Sequence, residues 1–240
     1  MQKLFIDFEP NGQITLNEEQ SRHIAKALRM KKGDMLTLTN GDGNDYGCQI
    51  NGISGGLVTL SVCYKQANNS EPSVKVTLYQ GVPKASKLED VIQKCTELGI
   101  AAICPTLTHR SVSRPDEKQA KKKGERYKKI ALEAAQQSGR GIVPEIMNMT
   151  ELKKAVENDE SELKILFYEG GGEPISKIIT PGIKSAAIFI GPEGGFEPYE
   201  ADMARKVGLH VCSMGARILR CETAPVVALT ALMYESGNLE

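Results

Sequence analysis

The spacing of apolar residues changes once along this chain, near residue 70, and no other feature constrains the fold as strongly. Before that point, short runs that alternate apolar and polar residues (Lys3–Phe8, Met35–Thr39, Tyr46–Asn51, Leu57–Tyr64) are divided by turn formers such as Asn40-Gly41-Asp42-Gly43-Asn44. The pattern predicts a small antiparallel sheet or barrel, interrupted by one helix near Glu18–Leu28. The Asn40–Asp45 cluster lacks the spacing and closing Glu of a calcium loop and reads as a hairpin turn. Gln66–Ser73 is polar, contains a proline and reads as a linker.

Beyond the linker, strands are expected at Val74–Val82, Ile100–Cys104, Lys164–Tyr168, Ala186–Ile190 and His210–Ser213. Helices are expected near Lys87–Leu98, Glu117–Ser138, Glu151–Glu157, Pro198–Val207 and Glu222–Glu235. Ser86-Lys87-Leu88-Glu89 has the spacing of a capping box, and Leu88, Val91, Ile92, Cys95 and Leu98 form one helical stripe ending at Gly99. Strand–helix alternation implies a mostly parallel sheet covered on both faces. The expected organisation is a β-rich domain over 1–70 and an α/β domain over 74–240.

Two glycine-bearing turns stand out in the α/β part. Ile188-Phe189-Ile190 reads as a buried strand that ends in Gly191-Pro192-Glu193-Gly194-Gly195-Phe196, and a second such element is Ser213-Met214-Gly215-Ala216-Arg217-Ile218-Leu219-Arg220-Cys221-Glu222-Thr223-Ala224. Turns at the carboxyl ends of strands in α/β sheets are where ligands usually sit. Glycines there let backbone groups approach a ligand closely. Neither turn has the G-x-G-x-x-G or G-x-x-x-x-G-K-[ST] phosphate signature. One such turn alone would pass as an ordinary tight turn; two in tandem, both carrying charges, point to a ligand site.

Bulk charge predicts no partner, because thirty basic residues balance thirty acidic ones. Position is more informative: from Arg110 to Arg140 ten basic residues face four acidic ones, whereas residues 141 to 170 hold three lysines and seven acidic residues. A basic face of this kind suits a polyanion. The six cysteines, at 48, 63, 95, 104, 212 and 221, show no C-x-x-C or His/Cys cluster, so no metal site is expected. MQKLFIDFEPNG lacks the pattern of a signal peptide, and no apolar run has membrane-spanning length, so a cytoplasmic protein without a membrane partner is expected.

Four blocks together resemble the SPOUT superfamily of S-adenosylmethionine-dependent RNA methyltransferases. They are HIAKALRMKKG from His23, KLEDVIQKCTELG from Lys87, KIALEAAQQSGR from Lys129, and the two turns IGPEGGF and MGARILRCETA. The closer resemblance is to the bacterial RsmE family, which methylates N3 of a uridine in 16S ribosomal RNA. The resemblance implies a PUA-like β-barrel that binds RNA, followed by a SPOUT α/β domain with a C-terminal deep trefoil knot. It further implies a homodimer acting on 16S rRNA within the 30S subunit. Pro225 falls where the family often has alanine, and Met214 where leucine is frequent; both are mild departures.

The same resemblance assigns S-adenosylmethionine to the two turns, with contacts from Ile190, Gly191, Pro192, Glu193, Gly194, Gly195, Met214, Gly215, Ile218, Leu219, Arg220, Thr223 and Ala224. Apolar side chains suit the faces of adenine and glycine backbone groups its edge, although Ile190, Ile218 and Leu219 would equally serve a core. Uracil N3 is a poor nucleophile until its proton leaves, and the resulting anion spreads onto O2 and O4. Arg217 and Arg220 are candidates to stabilise that charge or to hold a phosphate, and Glu193 or Glu222 to accept the proton, with water as the alternative acceptor. RNA contacts are expected from Arg22, Arg29, Lys31 and Lys32 in the first domain. Lys84, Lys87, Arg110, Arg114 and Arg140 are expected to supply them in the second. With seven Tyr, five Phe and no Trp, recognition should rest on phosphate and shape more than on stacking.

Overall fold

A computed structural model describes residues 2–180 and 182–239. The chain forms two compact units. The first runs to Glu71 and also takes in Ala135–Val143; the second comprises Pro72–Ala134 and the chain from Pro144 onward.

In the first unit, strands β1 (Lys3–Phe5), β2 (Gln13–Thr15), β3 (Met35–Thr39), β4 (Asn44–Ser54) and β5 (Leu57–Ala67) form one sheet in the order β1-β3-β4-β5-β2. Only the β1–β3 pair is parallel. β4 and β5 are joined by Gly55-Gly56 at φ of 58° and 82°, and two positive φ values at the centre of a two-residue turn match the right-handed twist of the strands. Leu4, Ile14, Leu16, Ile24, Leu36, Leu38, Ile50 and Leu60 are among the core side chains. β2 escapes sequence reading because three residues give too little alternation to register.

The expected helix over Glu18–Leu28 is instead a short α-helix, α1 (Glu18–Arg22), continued by a π-turn over His23–Ala27. Asn17 caps α1 by accepting the Gln20 N–H at 2.9 Å. The buried Ser21 hydroxyl donates to the Leu16 carbonyl and accepts the Val58 N–H, which ties the helix to the sheet. Leu28 N–H then reaches His23 O, and Arg29 leaves helical space at φ 54°. Arg22 and Arg29 are therefore not two turns apart on one helix face, as a regular helix would place them.

A polar cluster is buried in this unit. Lys3, 8% exposed, donates to Asp45 at 2.7 Å and to the Gly139 carbonyl at 2.7 Å. Arg140, 3% exposed, pairs with Glu71 at 2.6 Å, and Glu71 also accepts the backbone N–H groups of Gly141 and Ile142. Arg140 thus anchors its own segment to the unit. It is not the surface phosphate ligand its charge suggested, since a cation at this depth is stable only with its carboxylate.

The second unit contains β6 (Lys75–Gly81), α2 (Lys87–Glu97), β7 (Ala102–Leu107), α3 (Glu117–Ser138), β8 (Glu145–Ile146), β9 (Thr150–Glu151), α4 (Leu152–Asn158), β10 (Leu163–Phe167), β11 (Glu173–Pro174), β12 (Ser185–Ile190), α5 (Pro198–Lys206), β13 (His210–Ser213) and α6 (Ala224–Glu235). The last residues of α3 belong to the first unit. The sheet order is β11-β13-β10-β12-β6-β7-β8, with β9 also on β7, and every pair is parallel. Tyr79, Leu166, Ala187, Phe189 and Val211 share a core with α4 and α5, where the Tyr79 and Phe189 rings stack at 4.5 Å. The α2 and α6 helices pack together, and α6 lies against β6 and β12. Both faces are covered, which is why the central β12 reads as an unbroken apolar run from Ala186 to Ile190.

The expected capping box at Ser86 does not form. The Ser86 side chain caps nothing, and Glu89 turns to Arg126 at 2.6 Å. A reciprocal box forms at α5 instead, between Glu197 and Glu200. Replacing Arg140 by Met should lower unfolding free energy by about 2 kcal/mol, because the half-buried Glu71 is left without its cation; denaturant titration measures this, and an unchanged midpoint would contradict it.

Candidate functional site

Strands β6, β10, β12 and β13 run parallel, so their carboxyl ends and the loops that follow open on one edge of the sheet. A cavity of about 460 Å3 lies there, within the usual range for small-molecule sites. Ile190–Gly195 line it from one side and Ser213–Cys221 from another, with Phe167, Tyr168, Glu169, Lys87 and Ala224 completing the wall.

The first turn is held by close backbone approach. A Cβ on Gly81, at the end of β6, would lie 2.5 Å from the Pro192 nitrogen, and one on Gly191 would lie 2.9 Å from the Gly195 carbonyl carbon. Gly195 adopts φ 68° and its N–H closes the turn on Pro192 O at 2.9 Å. Gln80, fully buried, donates to the Gly191 carbonyl at 3.3 Å, while its Oε1 has no partner among the described residues. Arg110 lies over the outer side: its guanidinium holds Glu197 at 2.9 and 3.0 Å and the Gly194 carbonyl.

Lys87 joins the two turns. Its Nζ lies 3.2 Å from Glu193 Oε1 in the first turn and 3.3 Å from Glu222 Oε2 at the end of the second, with Cys221 Sγ at 3.8 Å. The Lys84 backbone N–H adds a bond to Glu193 at 3.1 Å. Partial burial of Glu193 opposes its ionisation. Backbone N–H bonds and Lys87 outweigh that effect and hold the carboxyl below its usual range. Glu222 is likewise held low, by its own backbone N–H, Cys221 and Lys87. Burial and the neighbouring Glu222 push the Cys221 thiol up to about 12. Both carboxylates are therefore ionised and ion-paired at neutral pH, which makes them weak proton acceptors.

The expected ligand residues Ile190, Gly191, Pro192, Glu193, Gly194, Gly195, Met214, Gly215, Ile218, Leu219, Arg220 and Ala224 all line the cavity, as does Arg217; Thr223 and Glu222 lie outside the lining. Ile218 is 87% exposed and so belongs to the rim, not to a core. Arg217 and Arg220 are exposed, and neither forms an ion pair or side-chain hydrogen bond among the described residues.

The residues expected to meet RNA separate into two groups. Arg22, Arg29, Lys31, Lys32 and Lys84 are exposed, as is Arg114, whose guanidinium also donates to the Thr108 carbonyl at 3.0 Å and lies 4.0 Å from Glu151. Lys87, Arg110 and Arg140 are engaged by carboxylates, the first two at the site and the third in the first unit. Part of the basic charge of α3 is also paired, Arg126 with Glu89 and Lys128 with Glu125. Gln80, Gly81, Tyr168 and Glu169 are site residues that sequence reasoning missed. Gly81 carried a signal, a glycine closing a strand just before Val82-Pro83, whereas the others are recognisable only from the strand order.

Gly81 does not line the cavity, yet a side chain there would collide with backbone that cannot yield without moving the first turn. Gly81→Ala should weaken S-adenosylmethionine binding about tenfold, as expected when a preformed site is displaced. Calorimetric titration would show it, and an unaltered affinity would mean the turn tolerates the shift.

Comparison with known proteins agrees with this geometry. The family described as RNA methyltransferase domain matches residues 69–233, and that described as RNA methyltransferase PUA domain matches residues 16–63. Ribosomal RNA small subunit methyltransferase E of Bacillus subtilis is 36% identical, the alignment covering 100% of this chain and 98% of that protein. A methyltransferase of Legionella pneumophila, solved with bound SAM, superposes with a TM-score of 0.88 at 29% identity over 98% of this chain and 97% of that one. The Neisseria gonorrhoeae ribosomal RNA small subunit methyltransferase E, solved bound to S-adenosyl methionine, gives 0.90 at 25% identity over 98% of both chains. A likeness that spans the whole sequence and both units places this chain in the ribosomal RNA small subunit methyltransferase E family.

Proposed function

We propose that this protein transfers a methyl group from S-adenosylmethionine to N3 of a uridine in 16S rRNA. The observation that carries the reading is the pair of turns after β12 and β13, which wrap one cavity in a chain related end to end to rRNA methyltransferases. The cavity suits the cofactor. Ile190, Met214 and Leu219 offer apolar surface for adenine, and Gly191, Gly195 and Gly215 leave backbone polar groups accessible to its edge. Bound there, the cofactor supplies a methyl group already activated by its sulfonium.

The remaining tasks fall to the protein's own residues. Arg217 and Arg220, unpaired at the cavity, stabilise the uracil anion or a flanking phosphate. Glu193 and Glu222 hold Lys87, and the N3 proton leaves to water. In the first unit, whose residues 1–70 we assign as the PUA-like RNA-binding domain, exposed Arg22, Arg29, Lys31 and Lys32 contact phosphates. Lys84 and Arg114 do so from the methyltransferase domain over 74–240. We read Gly191–Phe196 and Met214–Ala224 as the loops of a trefoil knot. The return of the chain from β13, beyond β10, to α6 on β12 and β6 supports that reading. A homodimer is supported by α6, which is apolar around its circumference and leaves Val227 and Tyr234 exposed. A 30S substrate puts the protein in the cytoplasm, and among the described residues no helix is long and apolar enough to cross a membrane.

Labelled methyl transfer to 30S subunits and free 16S rRNA from a strain lacking the protein, with mass mapping of nucleosides, tests the reaction. N3-methyluridine at one position is the expected product; a different modified base, or no transfer to either substrate, would refute the assignment. With no carboxylate poised as a base, kcat/KM should rise with pH between about pH 6 and 8 as the uridine itself ionises. A rise that levels off to a plateau in that range would instead reveal a titrating base on the enzyme.

A further inference from the structure

Lys87 carries a role that its charge alone did not indicate. It stands on the first turn of α2, outside both glycine turns, where its charge alone suits an RNA phosphate. Yet it lines the cavity, and its ammonium makes one ion pair to each turn, Glu193 at 3.2 Å and Glu222 at 3.3 Å. These two carboxylates come from segments on either side of the site. Lys87 is the one cation among the described residues that the structure puts between them.

We propose that Lys87 is a positioning residue that sets the separation of the two cofactor turns by neutralising the carboxylate each presents. The inference rests on the methyltransferase reading of the site. The charges make the case. Glu193, Glu222 and Lys87 sum to one negative charge; without Lys87 the sum is two, and the carboxylates repel one another. The groups facing Lys87 are Glu193 from the loop after β12, and Cys221 and Glu222 from the segment before α6. Glu169, Arg217 and Arg220 are the other charged groups in the wall. Removing the ammonium leaves two relaxations, separation of the turns or uptake of a proton by one carboxylate. Separation opens the cavity at neutral pH, and protonation restores it in acid.

This predicts a pH signature that loss of packing would not produce. In the wild type both carboxyls are held low, so S-adenosylmethionine affinity should be nearly flat between about pH 5.5 and 8. In Lys87→Met, which keeps the apolar stem, affinity should fall about tenfold at pH 8 and recover toward wild type at pH 5.5, because a raised carboxyl pKa favours the protonated, unrepelled form as pH falls. Lys87→Arg should bind close to wild type. Lys87→Met combined with Glu222→Gln returns the cluster to one negative charge and should regain affinity at pH 8.

The experiment is calorimetric titration of these proteins with S-adenosylmethionine at both pH values, with 16S rRNA binding by filter retention alongside. Absence of binding by the wild type would refute the methyltransferase reading and the proposal with it. Normal wild-type binding refutes the proposal alone under any of three results: K87M unaffected at pH 8, K87M weakened equally at both pH values, or no recovery in the double variant. Loss of RNA binding by K87M with cofactor affinity intact would also overturn it and return Lys87 to a phosphate contact.

Discussion

The central place of β12 governs the second unit. This strand is made late in the chain yet pairs in register with β10 on one side and β6 on the other, so two earlier strands must leave a slot for it. Its residues are buried on both faces, Phe189 against Tyr79 and the α4–α5 layer, Ile188 within the opposite one. That insertion decides where the following loop emerges. Gly191 leaves the sheet beside the ends of β6 and β10, and so the first turn meets Gly81 on one flank and Glu169 on the other. A slip of one residue would exchange the two faces of β12 and carry the turn away from both neighbours.

Much of this was legible in the sequence because it is local. The unbroken apolar run Ala186–Ile190 and the glycines after it identify a buried strand and its exposed end without reference to anything distant. The change of period near residue 70 marks the change of sheet type for the same reason. What was not legible depends on partners far along the chain. Ser86 and Glu89 have the letters of a capping box, but Arg126, thirty-seven positions away, takes the glutamate. The π-turn at His23 follows a helix tied to the sheet by Ser21 accepting the Val58 N–H, a long-range bond that no periodicity around His23 records. Short strands such as β8, β9 and β11, two residues each, leave no pattern at all.

Charge shows the same division sharply. The sequence distinguishes basic from neutral, not free from paired. Among the residues expected to meet RNA, Lys87, Arg110 and Arg140 each have a carboxylate partner at least 69 positions away, whereas Arg22, Arg29, Lys31 and Lys32 remain exposed. The paired ones keep their charge but spend it on carboxylates of their own chain, Arg140 from a buried position and Lys87 and Arg110 from partly accessible ones, where it organises loops and segments. A count of basic residues therefore overstates the surface available to a polyanion, and the ligand site is richer in ion pairs than its glycine-dominated letters suggest.

The first unit is not closed by the first seventy residues. Gly139 and Arg140 complete the contacts of Lys3 and Glu71, and they come from the far end of α3. During synthesis the amino-terminal sheet must wait, with Lys3 held by Asp45 alone and Glu71 still lacking its arginine, until about twice its own length has left the ribosome. The sheet can assemble early, but its polar seam can be sealed only when the long helix has been made. An excised amino-terminal fragment would stay in that waiting state, with its charged residues turned to water and its stability correspondingly reduced.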